Sequence, residues 1–348
     1  MTNKNSDLFS LDKFIEESLY NKKSGYYMKK NPFGVGGDFI TAPNISILFS
    51  EMIAIWIISF WEKLDCPKKF NLIELGAGNG EMMNVLVRTF NRFPKFKSSC
   101  KINILEKSKL LQRIQKTNIK DAKIKWLNNL NELNSLPCIF IANEFFDALP
   151  IKQFLKKEKN WYERHVNFSN DKKLKYSDIL FDMEKFEEKI KFKISYKQTF
   201  IEYSPLTTKY LKTIINKIKR NNGGILIIDY AYFEEQMKNT LQAVSKHKYS
   251  DVLKGFRNSD ITYNLSFNLI DKIIKKLGTC SSLLTTQKKF LTKLGILNRA
   301  EMLSKNMVFS EKADIYFRVK RLIDEDQMGD LFKVMFITNH KNKFKLGF

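Results

Sequence analysis

The chain has 348 residues, 43% of them hydrophobic, with 60 basic and 37 acidic residues and a net charge of +23. Such a composition suits a packed globular protein and excludes a disordered one, and no apolar run approaches the ~18 residues a membrane-crossing helix needs. Four scattered cysteines without a CxxC pair, and three histidines, give neither a zinc-ligand spacing nor a disulfide framework, so no metal site is expected. The positive excess raises nucleic acid or an anionic surface as partners. The lysines are spread along the chain, however, and richness in Lys, Asn, Ile and Phe also accompanies AT-rich genomes. The polar segment Met1–Ser10 lacks both a signal-peptide core and an Arg-rich transit pattern, so a cytoplasmic location is expected.

In chain order, Leu8, Leu11, Ile15 and Leu19 set a helical period. Ser24-Gly25-Tyr26-Tyr27 breaks it, and Gly34-Val35-Gly36-Gly37-Asp38-Phe39 reads as a glycine-dense loop. A long apolar helix follows from about Ile45 to Lys63. Strands are expected at Asn71–Leu75, Ile102–Glu106, Lys123–Leu127 and Cys138–Ala142, with helices at Met82–Phe90 and Ser108–Gln115. This βαβαβ rhythm predicts a doubly wound α/β sheet covered on both faces. Residues 151–198 interrupt it with short alternating pieces, such as Trp161–Val166, that read as an inserted antiparallel β segment. The rhythm resumes with a helix at Thr207–Arg220, a stop at Asn222-Gly223-Gly224 and a strand at Ile225–Asp229. Leu331–Ile337 reads as the last strand. The expected organisation is an N-terminal helical extension (1–66), a ligand-binding domain (67–150 and 199–348) and the insertion (151–198).

The sharpest motif is Glu74-Leu75-Gly76-Ala77-Gly78-Asn79-Gly80, between a strand and a helix. Glycines there permit a tight turn and close approach of a ligand, beside free N–H groups at a helix start. The spacing is GxGxG and not the GxGxxG of dinucleotide sites. Glu74 would repel a pyrophosphate but suits the ammonium and sulfonium of S-adenosylmethionine. Glu106, closing the second strand, can accept both ribose hydroxyls, and Asn128, after the third, can meet the adenine edge. The plainer alternative is a structural turn with solvent-facing acids.

Asn143-Glu144-Phe145-Phe146-Asp147-Ala148-Leu149-Pro150 follows the fourth strand, near where the methyl group belongs. Its Asn-x-x-Phe spacing loosely resembles the Asn-Pro-Pro-Tyr motif of nitrogen methylases, without the prolines. In a helical turn Glu144 and Asp147 would share a face. A carboxylate pair could hold the planar fork of an arginine, which stays protonated and is a poor nucleophile unaided. Alternatively, Asn143 and Asp147 only cap a short helix. Asp38, with the Gly34–Gly37 loop, is a candidate lid acid.

These blocks together resemble the MidA-type family of class I S-adenosylmethionine-dependent methyltransferases. The resemblance rests on Ser24–Tyr27, Gly37–Pro43, Phe49-Ser50-Glu51, Glu74–Gly80, Glu106-Lys107-Ser108 and Asn143–Pro150. Further on it includes Ile228-Asp229-Tyr230, Thr240–Ala243 with His247, Gly255, Asp260-Ile261-Thr262, Phe267, Gln287–Leu291 and Gln327–Lys333. Departures are Ala77 for the usual Pro, Ala231 and Lys288 for Gly, and the missing His before Phe267. The resemblance implies a Rossmann-like methyltransferase fold and methylation of an arginine on a protein, the quinone-module subunit of respiratory complex I in the mitochondrial relatives. Two other functions stay open: an RNA or DNA nitrogen methyltransferase, favoured by the charge, and a non-catalytic assembly factor that keeps the cofactor fold.

Overall fold

The computed structural model describes residues 8–34, 37–38, 40–168, 173–245, 247–278 and 280–348. Seven strands form its central sheet: β1 (Phe70–Leu75), β2 (Cys100–Leu105), β3 (Ile124–Leu127), β4 (Cys138–Asn143), β5 (Gly223–Tyr232), β6 (Cys280–Thr286) and β7 (Phe332–Asn339). Their spatial order is β6-β7-β5-β4-β1-β2-β3, with the two-residue strand Leu265–Ser266 added beside β5. β1 to β5 are parallel, and β7 runs antiparallel to both β5 and β6. The expected doubly wound α/β class is therefore what the chain adopts.

Every residue of β1 and β4 is buried, as befits strands covered on both faces. One face packs on the helix Leu11–Tyr20 and the helix Pro205–Asn221. The other packs on the helix Ile47–Lys63 and the helix Glu81–Phe90. The Ile47–Lys63 helix is apolar nearly all round because it is enclosed by the sheet, the C-terminal helices and the chain end. Chain order reverses between β1 and β4, so this is the topological switch point where doubly wound sheets bind ligands.

The antiparallel pieces after β4 do form a sheet. It joins Lys152–Lys157, Asn160–Phe168 and Leu174–Phe181, and it also recruits Leu8–Ser10 and Phe200–Tyr203 from either side. Leu8 thus lies in a strand, and the first helix starts at Leu11. A smaller sheet, Gln242–Ser245 with Lys248–Ser250 and Asp260–Thr262, is tied to the N-terminal segment. There the His247 N–H donates to the Asp38 carbonyl at 3.1 Å.

Trp56 joins two distant parts of the chain. It is fully buried, its indole N–H donates to the Leu346 carbonyl at 3.1 Å, and its ring lies 5.0 Å from Phe336 and 5.5 Å from Phe344. Trp56→Ala should cost about 3–5 kcal/mol through the cavity it leaves. Urea unfolding would measure this, and a loss below about 1 kcal/mol would show that the chain end does not lean on this ring.

Candidate active site

The loop after β1 turns on left-handed glycines, with φ +67° at Gly76 and +53° at Gly78. Residues with a Cβ rarely adopt these angles. Space is short at Gly76 as well, where a Cβ would lie 2.7 Å from Phe145 Cδ2; one on Gly78 would make ordinary contact with the Phe33 ring at 3.4 Å. Gly80 stands apart, opening the helix Glu81–Phe90 as its N-cap.

Beside this loop lies a cavity of ≈ 390 Å³, within the ~300–1,000 Å³ usual for small-ligand sites. Gly76, Gly78, Glu106, Asn128 and Glu144 line it, together with Tyr20, Tyr27, Phe33 and Phe145. Glu74 and Asn143 sit next to it at the ends of β1 and β4, both buried. Two acceptor atoms there, Glu74 Oε2 and Asn143 Oδ1, have no partner in the protein. Buried acceptors are ordinarily paired, so this is a place for a donor supplied by a ligand.

Burial, then the charge of Glu106, pushes the Glu74 carboxyl up to about 8. Burial likewise raises Glu106 to about 7, against hydrogen bonds from the Ser108 N–H (2.9 Å) and Gln115 Nε2 (3.2 Å). Asn128 is exposed, and its own N–H donates to Glu132 Oε1 at 2.9 Å.

Beyond Glu144 the acids accumulate. Glu144 itself takes φ +51°, and its Oε1 accepts from Asn143 Nδ2 (3.1 Å) and the Ala42 N–H (3.3 Å). Burial raises it to about 7. Residues 144–149 form bends and a turn, not the expected helical turn, so Glu144 and Asp147 do not share a helix face. Nor do Asn143 and Asp147 cap a helix. The N–H groups of this turn are met instead by Asp229, at 0% exposure on β5. It accepts from the N–H groups of Phe146 (3.0 Å), Asp147 (3.4 Å) and Tyr230 (2.9 Å). Asp260 joins the group and accepts from the Tyr27 hydroxyl at 2.7 Å; burial raises it to about 7. Asp147 and Asp229 are held well above the ordinary carboxylate range by burial first, then by Asp229's charge on Asp147 and Glu144's on Asp229.

Asp38 is buried, accepts from the Tyr26 hydroxyl at 2.6 Å and is ion-paired to Lys30. It does not line the cavity. Val35, Gly36 and Phe39 of the expected lid lie outside the described residues.

Sequence reasoning assigned no site role to Asp229, Asp260 or the tyrosines. A signal existed for Asp229, an acid closing the all-apolar run Ile225–Ile228 of a buried strand. None marked Asp260, which reaches the group through the small irregular sheet.

A family described as "Putative S-adenosyl-L-methionine-dependent methyltransferase" matches residues 52–285, more than half of the chain. The chain belongs to this family. It is an S-adenosylmethionine-dependent methyltransferase. A relative from Xenopus tropicalis, named protein arginine methyltransferase NDUFAF7, mitochondrial, is 27% identical over 95% of this chain and 82% of its own length. The human protein of that name is 25% identical over 97% and 82%. In fold, the methyltransferase is similar to a Burkholderia thailandensis protein solved with S-adenosyl-homocysteine bound. The TM-score is 0.82 at 22% identity, covering 98% of this chain and 90% of that one. The relatives' mitochondrial names overturn the cytoplasmic expectation. That expectation rested on a leader pattern not being found, and a missing pattern carries no positive information about compartment.

Glu74, Glu106, Glu144 and Asp260 all bind protons more tightly folded than unfolded. The folded state therefore holds more protons from pH 4.5 up to about 8, and stability falls as pH rises through that window. Denaturant unfolding of the cofactor-free enzyme should show this decline, and Glu74→Gln should flatten its upper part. A parent profile that is flat or rising would contradict the assignment.

Proposed function

We propose that the methyl acceptor is an arginine of a partner protein, received by Glu144, Asp147 and Asp260. One observation carries this reading. Three buried carboxylates, Asp147, Asp229 and Asp260, stand together with the half-buried Glu144 that lines the cofactor cavity, and none of the four forms an ion pair among the described residues; the nearby pair Lys30–Asp38 lies at the edge. Such a cluster is costly unless a cation enters it. A guanidinium supplies that cation and five donors in a planar fork. The names of the relatives support the choice, and the family resemblance directs it to a complex I subunit. A nucleic acid, by contrast, would bring its negative charge to buried acids.

The same proposal assigns the cofactor's contacts. Glu74 Oε2 and Asn143 Oδ1 take its amino group, the main chain at Gly76 and Gly78 its amino-acid end, Glu106 its ribose hydroxyls and Asn128 its adenine. Gly80 contributes by setting the start of the Glu81–Phe90 helix. When bound, S-adenosylmethionine supplies an electrophilic sulfonium methyl.

Glu144 and Asp147 orient the guanidinium so that one terminal nitrogen faces that methyl. The incoming cation favours their ionised forms. With the bound cofactor supplying the methyl and its sulfur keeping the electron pair of the broken S–C bond, the methylated nitrogen would shed a proton, and carboxylates whose proton affinity is raised by burial and mutual repulsion are suited to take it. Asp38 acts at one remove, anchoring Tyr26 and Lys30 at the rim.

Gly78→Val should abolish cofactor binding in calorimetry while the far-UV spectrum stays that of the parent, since a β-branched residue is strained at φ +53° and the loop must leave its left-handed turn. Unchanged affinity would remove the loop from the site. Glu144→Gln and Asp147→Asn should each lower methyl transfer to an extract of cells lacking this protein by about 10²–10⁴-fold, with cofactor affinity retained. Full transfer in both variants, or label entering RNA, would overturn the arginine reading.

A further inference from the structure

Gln115 lies at 0% exposure on the helix Lys109–Asn118, on the side that also buries Leu111 and Gln112. Glutamines are mostly exposed, and an apolar residue would fill this place without polar atoms to pair. The amide is engaged at both ends. Its Oε1 accepts from the Trp126 indole at 2.9 Å, while its Nε2 donates to the Gly78 carbonyl at 2.9 Å and to Glu106 Oε2 at 3.2 Å. That orientation is unique, since an indole N–H only donates and a main-chain carbonyl only accepts. The helix sits close enough for this reach because Gly80 has no side chain: a Cβ there would lie 3.1 Å from Ile119 Cγ1 and 3.3 Å from the Gln115 Cα. Asn118 Nδ2 adds a bond to the Asn79 carbonyl at 3.0 Å, and Gln112 Nε2 donates to the Glu106 carbonyl at 2.7 Å. The helix thus holds the glycine loop and both the main chain and the side chain of Glu106. Gly78 and Glu106 line the cavity; Gln115 does not.

We propose that Gln115 is a positioning residue for cofactor binding, an amide clamp that ties the glycine loop to the Glu106 carboxylate and fixes their separation before the cofactor arrives. The loop serves the amino-acid end of the cofactor and Glu106 its ribose, so the clamp sets the distance between the subsites for two parts of one ligand. Partners already in place spare the cofactor the cost of ordering them. The donated hydrogen bond also favours the ionised Glu106 against its burial. A carboxylate in that form is an acceptor only, which suits two ribose hydroxyls. Trp126, half-buried on β3, fixes the rotation of the amide from the far side. The inference rests on the assignment of Glu106 to the ribose.

The test is a double-mutant cycle on the full chain, titrated with S-adenosyl-homocysteine in a calorimeter. Gln115→Met keeps the length of the side chain and removes its donors. It should weaken binding about tenfold, and Glu106→Ala should do so by about tenfold or more. In the Glu106→Ala background the same Gln115→Met change should cost only about threefold or less, the part carried through Gly78. Trp126→Phe leaves Gln115 in place but frees its amide, and should weaken binding more in the parent than in the Glu106→Ala background. A glutamine that merely supports the fold would lower affinity by the same factor in both. That equal loss, or parent affinity in Gln115→Met, would overturn the clamp and leave Glu106 at the ribose. Parent affinity in Glu106→Ala would instead remove Glu106 from the ribose, and the clamp with it. Should Gln115→Met fail to fold, the cycle of Trp126→Phe with Glu106→Ala decides by the same criterion.

Discussion

The carboxylate of Asp229 organises everything at the end of the central sheet. It lies fully buried on β5 and accepts from three main-chain N–H groups, two of them in the turn that follows β4. Burial and the charge of Glu144 raise its proton affinity, and these three N–H groups work against that by favouring its ionised form. By holding Phe146 and Asp147 this way, Asp229 fixes where the chain leaves β4. Glu144 is thereby left in its left-handed conformation at the cavity wall. Phe145 is placed against Gly76, so the two loops at the switch point are built around each other. A non-glycine residue at φ +51° is strained by itself and persists where its surroundings over-determine it.

The cluster around that anchor is arranged for a visitor and not for the stability of the empty protein. Glu74 and Asp260 are buried, Glu106 and Glu144 half-buried, and all four are drawn toward their neutral forms. Tyr27 donates to one of these acids, Asp260, and Tyr26 donates to the neighbouring Asp38. Their hydroxyls solvate the carboxylates without neutralising them. Acids prepared in this way respond strongly to a cation, because its arrival both relieves repulsion and replaces lost water. The departures Ala77 and Ala231 leave this arrangement in place. Ala77 is buried in the apolar cluster with the Ile47–Lys63 helix, and Ala231 follows the anchoring acid on β5.

The parallel core was legible because its strands are short apolar runs punctuated by glycine, and burial on both faces demands that pattern. Glu74, Glu106 and Glu144 stood out as acids interrupting such runs at strand ends. The turn Glu144–Leu149 was not legible as a helix or otherwise, since its shape is imposed by an acid more than eighty residues away. The same reason hid β6: Cys280–Thr286 is polar in half its positions and is a strand because β7 pairs with it. Asp260 and the tyrosines belong to the site through contacts between the small sheet and the N-terminal segment, which no local pattern announces.

The position of β7 has a bearing on how the molecule is made. This strand is close to the C-terminal end of the chain, yet it lies inside the sheet, between β5 and β6, and pairs along its length with both. Both β5 and β6 precede β7 in the chain, so on the ribosome their facing edges stay open until β7 has followed them. Closure by the final strand also carries Phe336 in beneath Trp56. The sheet edge that supports Asp229 is thus completed only after β7 has followed β5 and β6, and until then the nascent chain carries an exposed strand edge that chaperones must shield.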